Sequence, residues 1–528
     1  MSKHAHIPPE DRIPIGQKVA VALGQNTDYV ATIMLTTTLW MPFFNIGLGL
    51  SPVVLGIILM VLRAWDAISD PLMGNISDNA RTRWGRRRPF MFVAAITTAC
   101  LYPLLWHFPQ SVLDGTSWLA AAADWIPFID TLGLTAAEKS TSLYLTFIGL
   151  IFFTSFTCWG MPYYGLQLEL TPNYDERTRL TAVMALVSKL TSIIGSWTFV
   201  TIIFVGTISQ GDFSALEGKP AWFQKLIHAV QPWLQSLASD HIDEKPIVTG
   251  MRLMCWVFAG LIIFFGIIPA IFVKERFYEK EAAKQPSEPF WQSVKASLKC
   301  GPLWSLISTS FFLVMGYSAI GSLGQYVNIY YVCRGDMLLA GTIGGIKGTL
   351  LAISGIAMLP LFAWLGEKYD KRTVVLGMLG MSMFGHFLNY WLMTPAYPYL
   401  QIVAGFFESS SISAVWLFLP SMKADVADYD EQSTHRRREG AINAFYSWFI
   451  KASLTASMGI GGVVLQTTGF DRNFAQQPDD VLQRMFWSYL IIPIVIWAVA
   501  VLSMWFYPLT RVRCTEIRHF LENRRGQI

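Results

Sequence analysis

Charge is what this sequence has least of. Asp, Glu, Lys and Arg make up 14% of its 528 residues, where a soluble domain carries roughly 25%. Together with a hydrophobic content of 53%, that scarcity excludes a soluble globular protein and implies an integral membrane one. The net charge of +4 is too small and too dispersed to suggest a nucleic-acid partner. Cysteine is scarce too. Cys100, Cys158, Cys255, Cys300, Cys333 and Cys514 share no spacing of a metal site or a disulfide framework and read as small hydrophobes. No nucleophile-base-acid set and no phosphate-cradling glycine loop is present, so neither an enzyme nor an ATP-driven pump is expected, and no cofactor. No cleavable leader is expected either, because the stretch up to Gln17 is polar and holds Pro8, Pro9 and Pro14.

What is there is a succession of apolar runs. They fall at 20–46, 51–77, 89–108, 141–168, 180–207, 251–273, 301–332, 338–366, 373–394, 398–424, 440–468 and 484–508, giving an all-α protein of twelve transmembrane helices. An even number of spans puts both ends on one side of the bilayer. With the N-terminus inside, inner segments hold 28 Lys plus Arg and outer segments 7. That bias makes both termini cytoplasmic.

The runs group into an N-terminal half (20–273) and a C-terminal half (301–508), flanked by tails 1–19 and 509–528 and joined by a charged linker, 274–300. The halves echo each other. Asp78-Asn79-Ala80-Arg81-Thr82 resembles Tyr369-Asp370-Lys371-Arg372-Thr373, and Tyr174-Asp175-Glu176 matches Tyr429-Asp430-Glu431. Two six-helix repeats around a central cavity is an architecture that secondary transporters use. Outer insertions at 109–140 and 208–250 interrupt the first half. Within them 117–134 and 220–239 read as short amphipathic helices, lying on the outer interface, capping the outer mouth or merely padding the surface.

The most informative stretch runs from Arg63 to Gly74, at the end of the second apolar run. A helix over 51–77 spans about 40 Å, enough to cross a hydrocarbon core with some tilt. On it Arg63, Asp66, Asp70 and Gly74 lie within roughly 80° of arc. That face cannot point at lipid, because a charge at the bilayer centre costs at least ~2.5 kcal/mol. An internal ion pair that merely holds helices together is one reading. The other follows from charge: one arginine cannot balance two aspartates, and a monovalent cation or a proton is the natural remainder. Asp66 and Asp70 would then be the metal ligands if that cation is Na⁺.

Other polar groups interrupt the spans. Gln25, Asn26, Thr27 and Asp28 break the first, where a carboxylate and amides suit sugar hydroxyls or a helix-bridging hydrogen bond. Thr154, Ser155, Thr157, Tyr163 and Tyr164, with a break at Gly160-Met161-Pro162, offer hydroxyls and freed carbonyls in the fourth. Lys451 in the eleventh span is a counterpart cation for the acids. Trp416 and Tyr446 offer flat faces to sugar rings, while His386 reads as packed. Asp78, Arg81 and Arg86, with Asp175, Arg177 and Asp430, can form gate ion pairs made in one conformation and broken in another.

From Arg63 to Pro89, and again from Ala424-Asp-Val-Ala-Asp-Tyr-Asp430 through Arg438-Glu439-Gly440 to Lys451, the sequence resembles the glycoside-pentoside-hexuronide:cation symporter family of the major facilitator superfamily, the family of melibiose permease. The resemblance implies the major facilitator fold, a sugar, glycoside or oligosaccharide as cargo, and a bacterial inner membrane as location. It implies a coupling cation at Asp66, Asp70 and Thr157, and sugar at Asp28, with Arg63 beside the acids and Lys451 linking the sites. Tyr164 stands where the family has a stacking tryptophan. Gly160 stands where melibiose permease has a second sugar-binding aspartate, so galactoside specificity does not carry over. Animal relatives carry lysolipids, which makes a lysolipid or other amphiphile the alternative cargo; a non-transporting sensor with this fold is another. The choice between Na⁺ and H⁺, the sugar and the oligomeric state have no signature in the sequence.

Overall fold

The computed structural model describes residues 12–80, 82–126, 132–170, 174–238, 244–275, 300–434, 439–471, 474 and 476–525, together with all but a few of their side chains. The chain forms two compact units divided at residue 285. The described residues of both are helical, with no strand among them.

In the first unit, α1 (Ile15–Asp28) changes to π winding over Tyr29–Leu39 and again over Pro42–Gly47. The long α2 (Pro52–Asn79) follows, with proline at its start and again at Pro71. α3 (Arg88–Leu101) tightens into a 3₁₀ turn at Tyr102–Leu105. Short α4 (Gln110–Leu113) and α5 (Trp118–Ala123) lead to α6 (Ala136–Glu169). A capping box starts α6: the Thr135 hydroxyl accepts from the Glu138 N–H while the Glu138 carboxylate accepts from the Thr135 N–H, which satisfies two end donors. α6 runs unbroken through Pro162, so the break expected at Gly160-Met161-Pro162 does not occur. The neighbouring turns carry the helix across the one backbone bond that proline removes. α7 (Tyr174–Ser196), α8 (Thr198–Ser209), α9 (Ala221–Leu237) and α10 (Pro246–Phe272) complete the unit.

Glycines let α8 and α10 meet backbone to backbone. A Cβ on Gly206 would collide with the Pro246 carbonyl, and one on Gly250 with the Ile202 carbonyl. Without a solvent-driven hydrophobic effect, such close approach is a main source of helix association in lipid. α9 leaves no residue buried, and Trp222, Leu226, Trp233 and Leu237 are all exposed. It is the amphipathic helix expected at 220–239. Of the expected helix at 117–134 only the turn and a half of α5 forms among the described residues.

The second unit holds α11 (Gly301–Tyr326), extended by π winding over Val327–Val332, then α12 (Met337–Lys368), α13 (Lys371–Leu392), α14 (Gln401–Leu417), α15 (Leu419–Thr434), α16 (Glu439–Thr467), α17 (Asp479–Trp505) and α18 (Arg511–Arg525). Corresponding helix ends are tied alike in the two units. Arg88 at the start of α3 donates to the carbonyls of Ala270 (2.6 Å) and Ile271 (2.8 Å) at the end of α10. Arg372 at the start of α13 donates to those of Trp505 and Tyr507 at the end of α17. Both arginines satisfy carbonyls that a helix C-terminus leaves without partners.

Among the described residues nine helical stretches are long and apolar enough to cross a membrane. The other three expected spans are helical but fall short for visible reasons. The first changes winding at Tyr29, the ninth carries His386 and Asn389, and the tenth is interrupted at Phe418.

Candidate functional site

Asp28 sits where the first span leaves α winding for the wider π turn, a transition that recurs at functional sites. The Thr32 hydroxyl lies 2.9 Å from the Asp28 carbonyl and 2.6 Å from its Oδ1. From α6, the Tyr164 hydroxyl donates to Oδ2 across 2.6 Å. Both carboxylate oxygens therefore accept from hydroxyls. Tyr164 is exposed and Asp28 half-buried, so this pair is not sealed in the core.

α2 is helical throughout 52–79, which puts Asp66 and Asp70 on one face, four residues apart. Asp66 is 6% exposed and pairs with Arg63, Nη1 to Oδ2 at 3.1 Å. Arg63 also lies 3.4 Å from the Thr36 hydroxyl and sits over the Phe153 ring at 5.3 Å. Asp70 accepts from the Thr157 hydroxyl at 3.1 Å, and the Ser69 hydroxyl lies 3.4 Å from the same Thr157 oxygen. Pro71, inside α2, removes the N–H that the Ala67 carbonyl would otherwise accept. A carbonyl released by proline thus lies between the two acids in the chain.

The sequence-derived cation group, Asp66, Asp70 and Thr157, comes together at this end of α2, with Arg63 beside it. Thr36, Ser69 and Phe153 belong to the same cluster and were not singled out from sequence. The threonines had a signal, since Asp28, Thr32 and Thr36 recur every fourth residue, but the π winding that begins at Tyr29 had none. Thr157 and Tyr164 are seven residues apart, two turns of α6, and so share one face. A single helix face hands a hydroxyl to Asp70 and another to Asp28.

Lys451 lies on α16 in the second unit, where its carbonyl accepts from Thr455. Tyr446 donates to Ser310 at 2.7 Å, and one side of its ring faces the Lys423 ammonium at 5.1 Å. It is therefore not the open stacking face expected from sequence, because a cation already lies over it. Arg81 lies outside the described residues, as do the side chains of Asp78, Asp175, Arg177 and Trp416. Arg86 is buried, and the backbone N–H groups of Arg86, Arg87 and Arg88 converge on the Glu275 carboxylate at 3.0 to 3.3 Å. A glutamate thus fills the anion site at the start of α3. Asp430 is buried in α15. Nearer the N-terminus, buried Glu176 takes the Ile13 N–H at 2.9 Å and the Lys18 ammonium at 2.6 Å, with Arg179 at 3.7 Å. Burial raises the Glu176 carboxyl, but those three donors outweigh it and hold it below the usual carboxylate range.

The carboxylate pair of α2 is thus held by the Thr157 hydroxyl of α6 and by the Arg63 guanidinium of its own helix. The profile of MFS/sugar transport proteins matches residues 21–511. This chain belongs to that family. It is a transporter of the major facilitator superfamily and not an enzyme, and the sequence resemblance to the glycoside-pentoside-hexuronide:cation symporters stands. It is 27% identical to an uncharacterized symporter, sll1374, of Synechocystis, covering 90% of this chain and 91% of that protein. It is 25% identical to the mouse sodium-dependent lysophosphatidylcholine symporter 1, covering 87% of this chain and 79% of that one. It is 24% identical to the isoprimeverose transporter of Lactiplantibacillus pentosus, covering 90% and 85%. Among solved structures, a bacterial homologue of the human lysosomal transporter Spinster superposes with a TM-score of 0.60 at 13% identity, over 98% of this chain and 99% of that one. That likeness supports the major facilitator fold alone.

Proposed function

We propose that this MFS/sugar transport protein is a symporter that couples a sugar or glycoside to Na⁺ or H⁺ by alternating access. The observation that carries the reading is the shared face of α6, with Thr157 on Asp70 and Tyr164 on Asp28. A cation at Asp66 and Asp70 attracts the Thr157 oxygen as a ligand and frees its hydrogen from Asp70. That change is felt two turns away at Tyr164. Coupling is then a linkage in which cation and sugar raise each other's affinity by one factor.

The cargo reading rests on Asp28. Its two oxygens accept two hydroxyl hydrogen bonds at 2.6 Å each. Adjacent hydroxyls of a sugar ring offer the same donors in the same geometry and can replace them without leaving the carboxylate bare. Arg63, Tyr164, Trp416 and Lys451 are the other residues assigned to the sugar. Ion pairs at Asp78, Arg81, Arg86, Asp175, Arg177 and Asp430 are the proposed gate of the alternating-access cycle. The arginine-rich segments face the cytoplasm of a bacterial inner membrane, with both termini on that side.

Similarity to lysophosphatidylcholine symporters supports a second cargo, a lysolipid. Counterflow in proteoliposomes separates the two. Labelled sugar exchanged under a Na⁺ or proton gradient, and unaffected by lysolipid, supports the first reading. Gradient-independent uptake, unchanged in Asp66→Asn and Asp70→Asn, would refute ion coupling.

A further inference from the structure

Within the second unit a buried polar cluster joins four helices, and the transport cycle above does not use it. His386 of α13 and Glu408 of α14 are 0% and 3% exposed, and Asn389 and Tyr489 beside them are as deeply buried. Lys347 of α12 crosses over Gly405, where a Cβ would press on its stem, and its ammonium lies 3.1 Å from Glu408 Oε2. The other oxygen, Oε1, lies 3.0 Å from His386 Nδ1. His386 Nε2 lies 3.0 Å from the Tyr489 carbonyl of α17.

Hydrogen counting decides what this cluster holds. A backbone carbonyl only accepts, so Nε2 carries a hydrogen and donates it to Tyr489. In a neutral imidazole that leaves Nδ1 as an acceptor. It would then face Glu408 Oε1, another acceptor, across 3.0 Å. The Asn389 amide does not resolve the clash. Its two hydrogens go to the nearer acceptors, Glu408 Oε1 at 2.9 Å and the Tyr489 hydroxyl at 3.3 Å, and Nδ1 is farther off at 3.4 Å. Lys347 reaches only Oε2, and the Trp497 ring, 6.1 Å from the imidazole, supplies no donor to this gap because its N–H goes to the Leu313 carbonyl. One more proton is needed between Nδ1 and Oε1.

We infer that His386 and Glu408 form a proton-binding site in the second unit, separate from Asp66 and Asp70 and poised beside the Lys347 ammonium. Binding is simple protonation: one proton enters from water and is shared by imidazole and carboxylate, and no bond other than N–H or O–H changes. Its release leaves two facing acceptors, which drives α13 and α14 apart at this point. Packing of the second unit is thereby made pH-dependent.

The test needs no substrate and is independent of the sugar reading. The full chain, ¹⁵N-labelled at its 8 histidines, is placed in liposomes and its imidazole nitrogens are read by solid-state NMR at pH values around the usual histidine midpoint of about 6.5 and above it. His386 is assigned by its loss in His386→Gln. The expected wild-type signal at neutral pH has a protonated Nε2 and a protonated or proton-sharing Nδ1. In Glu408→Gln the glutamine amide donates to Nδ1, so the expected His386 signal at neutral pH is that of a plain neutral Nε2–H tautomer. A wild-type His386 with a bare Nδ1 at neutral pH, indistinguishable from the Glu408→Gln signal, overturns the proposal. Where a variant fails to fold, wild type alone decides: one exchange-protected histidine carrying hydrogen at both nitrogens supports the site, and protected histidines that are all singly protonated overturn it.

Discussion

The Tyr164 hydroxyl donates to the Asp28 carboxylate across 2.6 Å, bridging α6 and the first span at the residue where α winding gives way to π. A hydrogen bond to a charged group contributes about 1.5–3 kcal/mol. Asp28→Asn removes the charge that a sugar hydroxyl would meet, and is expected to weaken sugar binding by roughly 10- to 100-fold. Tyr164→Phe should weaken it less, because Thr32 still holds the other oxygen. Calorimetric titration at saturating cation checks both, and unchanged affinity in Asp28→Asn removes Asp28 from the sugar site.

Thr157→Val keeps the shape of the α6 face but takes away the hydroxyl on Asp70. The expected result is a loss of cation affinity of about tenfold, corresponding to one ligand of about 1.4 kcal/mol, with Thr157→Ser near wild type. Cation-dependent tryptophan fluorescence provides the readout. Equal affinities in the valine and serine variants contradict the assignment.

At Gly160 a Cβ would make only ordinary contacts, 3.5 Å to Phe156 and 3.8 Å to Tyr164. Gly160→Asp is therefore tolerated sterically, loses stability through burial of its carboxylate by at least ~2.5 kcal/mol where no partner compensates it, and is expected to change which sugars bind, since it adds a second carboxylate next to Tyr164. Gly206→Ala meets the Pro246 carbonyl instead and should lower thermal stability sharply, whereas Gly260→Ala, with open space around it, should not. Size-exclusion profiles after heating separate the three.

Glu176 gives a pH dependence with a definite sign. Its carboxyl is held below the usual range by Lys18, Ile13 and Arg179 against the effect of burial. The stability this contributes is fully present above the ordinary carboxylate value and is lost as pH falls through the lowered one. Glu176→Gln leaves Lys18 buried beside a neutral group, at a cost of about 3–5 kcal/mol at neutral pH. The difference in melting temperature between variant and wild type should shrink below about pH 4. A difference that stays constant with pH contradicts the pairing.

The helical membrane fold and the acid pair were legible in the sequence because lipid imposes one rule: runs must be apolar, and any charge within them must have a reason. Arg63, Asp66 and Asp70 stood out on that rule, Thr157 came from the family resemblance, and the structure sets the Thr157 hydroxyl on Asp70. Glu408 and Lys347 break the same rule within the tenth and eighth spans, but no spacing in the sequence pairs them with each other or with His386. His386 alone looked like packing, and its meaning depends on Glu408, 22 residues away, which only the fold brings near. The π winding after Asp28 and the unbroken course of α6 through Pro162 were not legible either. Both depend on which neighbouring side chain satisfies a displaced backbone group, and pattern alone does not say.

The most direct measurement is sugar affinity with and without cation, in wild type and in Asp70→Asn, on the full chain in proteoliposomes. Linkage through α6 requires that the cation tighten sugar binding in wild type, that sugar tighten cation binding by the same factor, and that both effects vanish in Asp70→Asn while bare sugar binding persists. Sugar affinity indifferent to the cation in wild type, or equally cation-sensitive in Asp70→Asn, contradicts it.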